Sequence, residues 1–254
     1  DVLGSRGLGD VYKRQNLNDE YPNVLPSFGQ WTYGIFGEDK GTDNQIEVNA
    51  NDRYTQDRWK VPHSESDNWK FERIYRINFF LSEALPKFGE DMSGSQNTIS
   101  GSVATIKHYI GEMYFLRAYE YFKKLQLFGD FPIINQPLAD EMEALREASK
   151  RFPRNEVARF IISDLDKAYA YMSDVDMATT RINKDVAMLV KSRVALFEAT
   201  WLQNFKGTAF VPGGEGWPGA SLHNNYQYPS GNIDNEVKYF LEQAVEASKL
   251  VADK

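Results

Sequence analysis

The chain of 254 residues contains no cysteine, which excludes disulfides, thiol nucleophiles and cysteine-based zinc sites. Histidine is nearly as scarce. His63, His108 and His223 are the three present, and their spacing matches no metal-ligand pattern. Positive charge is in deficit, with a formal net charge of −7 and a pI near 5.1, against the basic face that nucleic-acid binders carry. No apolar run approaches the length needed to cross a bilayer, and no signal peptide is visible. The chain also has no glycine-rich phosphate loop after a strand, no Gly-x-Ser-x-Gly elbow and no recognisable Ser/His/Asp constellation. Asp39, Gly41 and Asp43 carry part of a calcium-loop pattern, but the EF-hand spacing is missing.

What is abundant is aromatic: 14% of residues, including 14 Tyr and 5 Trp. With 42% hydrophobic and 26% charged residues, the composition is that of an ordinary globular chain with a sizeable core. Bulky rings serve a helical core, an exposed surface on which sugars stack, or both.

The organising stretch is Ile106–Pro132. Its apolar residues Ile106, Ile110, Met113, Tyr114, Ala118, Tyr121, Phe122, Leu125 and Phe128 recur with the helical period over a broad face. Gly101 and Ser102 offer a start, and Gly129 followed by Pro132 a stop. Further helices are expected at 69–88, at 155–172 with Asn155 as cap, at about 183–201 with Asn183 as cap, and at 234–251. In the 183–201 helix Val186, Leu189, Val190, Val194, Phe197 and Trp201 are expected inward; in the 234–251 helix, Val237, Phe240, Leu241, Ala244 and Val245. A short helix near 23–35 is weakly marked. Residues 131–150 read as an irregular excursion. Two long loops, 21–68 and 204–231, are punctuated by Gly and Pro. Ala118, Ala168 and Ala195 stand where small residues let helices approach, as in tetratricopeptide hairpins, although no strict 34-residue period appears.

The run LRAYEYFKKLQLFGDFP, with Leu116, Arg117, Ala118, Tyr121, Phe122, Leu125, Phe128, Gly129 and Pro132, resembles the signature helix of the SusD/RagB family. Trp69–Asn78 (WKFERIYRIN), Ile161–Ala168 (IISDLDKA) and Lys191–Ala199 (KSRVALFEA) agree with it in order and spacing. The resemblance covers roughly residues 20–254. It implies an all-α fold of tetratricopeptide-like helical hairpins with long loop insertions. It also implies a non-catalytic lipoprotein of polysaccharide utilisation, exposed on the outer membrane of Bacteroidetes, that binds oligosaccharide and passes it to a SusC-like TonB-dependent transporter for nutrient uptake. No cofactor, metal or nucleic acid is implied. The family's secretion signal and lipidated cysteine are not in this sequence. Residues 1–15 (DVLGSRGLGDVYKRQ) match no family N-terminus and read as a non-native or disordered leader, with a helical domain over 16–254 that looks cut at both ends.

Neutral sugars present apolar C–H faces to aromatic planes and hydroxyls to amides and carboxylates. The first loop offers Trp31, Trp59, Asp43 and Asn44 for that chemistry; the second offers Trp217, Asn224, Tyr226 and Tyr228. The rival reading of each ring is a cap on the core. Trp69 is assigned to packing. Arg117, Arg193 and Glu198 read as structural residues that bury their stems and pair with opposite charges. Asp164, Asp166, Asp174 and Asp176 are the densest acids. Asp164 and Asp166 are two apart on a helix and diverge by roughly 200°, which suits solvated surface better than a glycosidase pair. Two other classes are a helical-repeat adaptor for a protein partner and an α-helical glycoside hydrolase.

Overall fold

The structure, a computed structural model, describes residues 9–26, 68–89, 91–173 and 180–254. Among these residues it is helical, with seven α-helices and no strand beyond one isolated bridge. The helices are α1 (Gly9–Val24), α2 (Glu72–Phe88), α3 (Val103–Phe128), α4 (Met142–Ala148), α5 (Arg154–Tyr171), α6 (Lys184–Asn204) and α7 (Ile233–Ala252). α1 runs across the expected boundary between residues 15 and 16; its Leu17 is fully buried, and its Lys13 ammonium lies 4.9 Å from the Phe80 ring centre. Most of the region assigned to the first loop, and the 23–35 helix beyond Pro26, lie outside the described residues, as do Asp174 and Asp176.

α3 is the axis. Its 26 residues span about 39 Å. Ser102 caps it by accepting from Thr105 N, and Gly129 ends it at φ 68°, where a side chain would be strained. The expected apolar face is buried, Phe128 partly so, but burial extends right round the helix to His108, Glu112, Arg117, Glu120 and Lys124. Each fully buried ring or aliphatic chain contributes about 1.5–3 kcal/mol. Tyr121, Phe115, Ile110 and Leu116 are examples.

The helices pack as successive antiparallel hairpins. Asn78 of α2 meets Arg117 of α3, and Arg73 meets Glu120. Arg117 meets Asp164 of α5, while His108 at the other end of α3 meets Ser173 just past α5. Arg154 of α5 meets Glu198 of α6, and Asp166 meets Lys191. Asp185 of α6 meets Lys254 beyond α7, and Lys206 meets Asp234. Close approach is set by small residues: Ala118, Ala168 and Ala195 are all fully buried. At Gly111 an added Cβ would stand 2.9 Å from both Ala168 O and Met172 N.

Several local expectations change. The second helix begins at Glu72, and Trp69 precedes it. Asn155 is not a cap, because Pro153 takes that position and the Asn155 side chain turns into the core. Asn183 does cap α6, accepting from Val186 N at 2.9 Å. Yet Val186 and Leu189 face outward, and the buried face is Ala187, Met188, Lys191, Val194, Ala195, Glu198, Ala199 and Leu202. In α7, Leu241 and Val245 are exposed while Phe240, Ala244 and Ala247 are buried. Both shifts have one cause: the inward stripe carries ionic side chains and alanines that an apolarity count passes over. Asp164, expected on solvated surface, is wholly buried on Arg117. Glu198 pairs with Arg154, and Arg193 is exposed.

The 131–150 excursion is closed at its base by the Phe131–Phe152 bridge, with N···O distances of 3.2 and 3.1 Å. It contains α4, which buries none of its residues.

Candidate glycan-binding surface

Two features face outward from this frame. The first is the 205–231 segment between α6 and α7. Trp217 sits at its centre with 5% of its surface exposed. Its indole Nε1 donates to Asp130 Oδ2 at 2.7 Å, while Asp130 Oδ1 accepts from Arg154 N at 2.9 Å. One carboxylate thus joins the segment to the start of α5; burial pushes that carboxyl up, and the Trp217 N–H opposes the shift. His223 stacks 6.0 Å from Trp217, and Tyr226 lies 5.6 Å away. The Tyr226 hydroxyl and the Asn155 amide exchange hydrogen bonds of 2.9 and 3.1 Å, and Tyr228 donates to Pro212 O at 2.7 Å. Burial pushes both phenols above their ordinary range.

Behind them, Glu236 accepts from Arg159 at 2.7 and 2.9 Å, from Asn155 at 3.0 Å and from Ser230 N at 3.1 Å. Burial pushes the Glu236 carboxyl up, but those hydrogen bonds outweigh it and hold the group below the usual carboxylate range. Asp130, Asn155, Arg159 and Glu236 were invisible as a set in the sequence, since they come from three separate elements.

Of the residues expected to bind sugar, Trp31, Asp43, Asn44 and Trp59 lie outside the described residues. Trp217, Tyr226 and Tyr228 are brought together, and Asn224 stands exposed beside them in the chain. At Trp217 the expectation of an open stacking face is corrected: the ring is an internal anchor of the segment. Tyr226 and Tyr228 are half-buried, with their hydroxyls engaged inward. Phe210, 61% exposed, is the open ring of the segment. It packs on Phe205 at 5.4 Å, and its carbonyl accepts from Trp201 Nε1.

The second feature is a cavity of about 350 Å³ between the start of α2 and the excursion. Tyr121 and Asn78 fix its wall: the Tyr121 hydroxyl accepts from Ile134 N at 2.7 Å, and Asn78 Nδ2 donates to Ile134 O at 2.8 Å. Trp69 stands in it, held edge-on to Phe128 and Phe131 at 4.9 and 4.8 Å, with the Arg151 guanidinium 4.6 Å from its ring centre.

A family profile described as starch-binding and associating with the outer membrane, of the SusD-like group, matches residues 13–196. The chain belongs to the SusD-like family. A curated relative, SusD-like protein P2 of Formosa agariphila, is 30% identical over 100 residues, which is 39% of this chain and 19% of that protein. A SusD-like carbohydrate-binding protein of Bacteroides vulgatus superposes with a TM-score of 0.51 at 15% identity, covering 91% of this chain and 50% of its own. Another, from Bacteroides fragilis, gives a TM-score of 0.50 at 17% identity, covering 77% and 39%. The SusD-like chain therefore spans half or less of these relatives. At those identities the structures speak for the shared helical fold. The signature residues Arg117 and Tyr121 act within it as structural groups, one locking α5 and the other fixing the excursion.

Proposed function

We propose that this SusD-like chain captures an oligosaccharide at the outer-membrane surface without cleaving it and passes it to a SusC-like TonB-dependent transporter. The observation that carries the reading is the family match, whose description is starch-binding in association with the outer membrane. The 205–231 segment supports it as the platform: a rigid, internally hydrogen-bonded scaffold that leaves Phe210, Asn224 and the edges of Tyr226 and Tyr228 at the surface. Such an aromatic-plus-amide surface suits a neutral glycan. Trp31, Asp43, Asn44 and Trp59 would add the same chemistry from the first loop. Binding without hydrolysis accords with the state of the buried acids Asp164, Glu198, Glu236 and Glu112, each engaged by a guanidinium.

Affinity electrophoresis and calorimetry over a panel of plant, algal and host glycans test the capture step, with a reducing-end assay on whichever glycan binds. Binding that falls at least tenfold in Phe210→Ala and Asn224→Ala, with no new reducing ends, is the expected result. Loss of binding in Trp59→Ala alone would move the platform to the first loop. Release of reducing ends would replace capture by hydrolysis, and a flat response across the panel would favour the helical-repeat adaptor. Co-purification with a SusC-like TonB-dependent transporter tests the transfer step.

A further inference from the structure

We infer that the cavity between α2 and the 132–149 excursion binds a neutral, hydroxyl-bearing aromatic ring, either as a free phenolic ester or as the aryl group of a glycoside. Its walls are Trp69, Phe71, Ile74, Tyr75, Ile134 and Leu145, mostly apolar and partly aromatic. The volume of about 350 Å³ exceeds the roughly 150 Å³ that admits benzene, so one substituted ring fits and a polymer does not. The cavity is preformed, because its wall at Ile134 is tied to Tyr121 and Asn78 and its Trp69 is wedged among phenylalanines.

Polar groups decide between a sugar and an aryl ring. A sugar carries hydroxyls all round its edge, each costing about 1–3 kcal/mol if buried without a partner. The lining residues carry few side-chain partners: Gln136, Asp140, Ser149, the Tyr75 hydroxyl and the Trp69 indole N–H. Ser149 Oγ already donates to Leu145 O at 2.6 Å. Gln136 and Asp140 make no side-chain hydrogen bond among the described residues. One carboxylate and one amide suit a ring with a single phenol donor. Among the described residues Asp140 is the one charged residue of the lining, the Arg151 guanidinium lying over Trp69 outside it; its carboxylate selects against a carboxylate-bearing ligand, which makes the neutral ester the better match. Tyr75 and Phe79, each 52% exposed and stacked at 6.4 Å, continue the aromatic surface outward. Arg151 joins this cavity to the 205–231 segment, its guanidinium over Trp69 and its carbonyl accepting from His223 at 2.8 Å. An aryl group borne on a sugar would therefore lie near the proposed platform, although the cavity stands as a site without it.

Calorimetry with the whole chain uses methyl ferulate, the ferulate anion, 4-hydroxyphenyl β-glucoside and methyl β-glucoside. Methyl ferulate and 4-hydroxyphenyl β-glucoside should bind, with methyl β-glucoside at least tenfold weaker. Ala139→Trp fills the cavity from an exposed position and should weaken both aryl ligands at least tenfold while circular dichroism stays unchanged. Asp140→Asn should weaken methyl ferulate severalfold and erase its preference over the ferulate anion, a charge signature that a merely structural role would not give. Equal binding of methyl β-glucoside, blocked by Ala139→Trp, would make this a sugar pocket and overturn the inference. Aryl binding indifferent to Ala139→Trp, or no aryl binding, would overturn it as well. Polysaccharide binding by the Phe210 and Asn224 surface is read separately.

Discussion

Replacing Arg117 by Met should be among the most damaging single changes in the described fold. The guanidinium donates to both oxygens of Asp164 at 2.6 and 2.8 Å, to Asn78 Oδ1 at 2.8 Å and to Asn135 O at 3.1 Å. It therefore ties α3 to α5, α2 and the excursion at once, with 3% of its surface exposed and none of Asp164's. Burial opposes its charge, but the Asp164 hydrogen bonds win and hold it above the ordinary arginine range. Removing one partner of a buried ion pair costs about 3–5 kcal/mol, and on a chain of this size that lowers Tm by on the order of 10 °C. Urea unfolding followed by circular dichroism measures it. The double variant Arg117→Met, Asp164→Leu should recover a large part of the loss, because no uncompensated charge is left inside. In Arg117→Met alone, burial without the guanidinium raises the Asp164 pKa further. A raised folded pKa gives stability present at low pH and lost as pH rises through it, so the deficit should be smaller at pH 4 than at pH 8. A loss under about 1 kcal/mol at pH 8, or a double variant no better than the single, would refute the lock.

Gly111→Ala should destabilise by about 1–3 kcal/mol in the same unfolding assay. The new Cβ meets backbone at Ala168 and Met172, and this outweighs the gain of roughly 1 kcal/mol in helix propensity. Glu236→Gln should be destabilising at neutral pH, and its deficit against wild type should shrink as pH falls. Its hydrogen bonds hold the folded Glu236 carboxyl below the ordinary glutamate range, so its contribution is present above the unfolded value and lost as pH drops through the folded one; a deficit that does not change with pH would exclude this carboxylate as the source. Stability should also fall as pH rises from 10, where an unfolded tyrosine ionises, to about 12, where burial has pushed Tyr114. Tyr114→Phe should flatten that alkaline slope in a pH series of thermal melts. Leu189→Lys should change stability by no more than about 0.5 kcal/mol, since Leu189 is 53% exposed.

The order of α2, α3, α5, α6 and α7, the central role of Ile106–Phe128 and the Ser102, Gly129 and Asn183 boundaries were legible in the sequence, because periodicity and end signals are local; α1 and α4, in stretches read as leader and irregular excursion, were not. The family was legible too, since its marks at Trp69–Asn78 and Leu116–Pro132 are short contiguous runs. The inward face of α6 and α7 was legible only in part: Val194, Phe240 and Ala244 are buried as expected, while Val186, Leu189, Leu241 and Val245 are exposed. Inward Lys191, Glu198 and Glu236 are stable only because Asp166, Arg154 and Arg159 arrive from α5, and a linear pattern records no such arrival. For the same reason Trp217 read as an open platform until Asp130, 87 positions away, took its N–H. The cavity beside Trp69 is likewise a product of tertiary structure, made where Tyr121 of α3 and Asn78 of α2 pin Ile134 as part of its wall. Sequence determined what each helix is; long-range charge pairing and ring packing decided which side it shows.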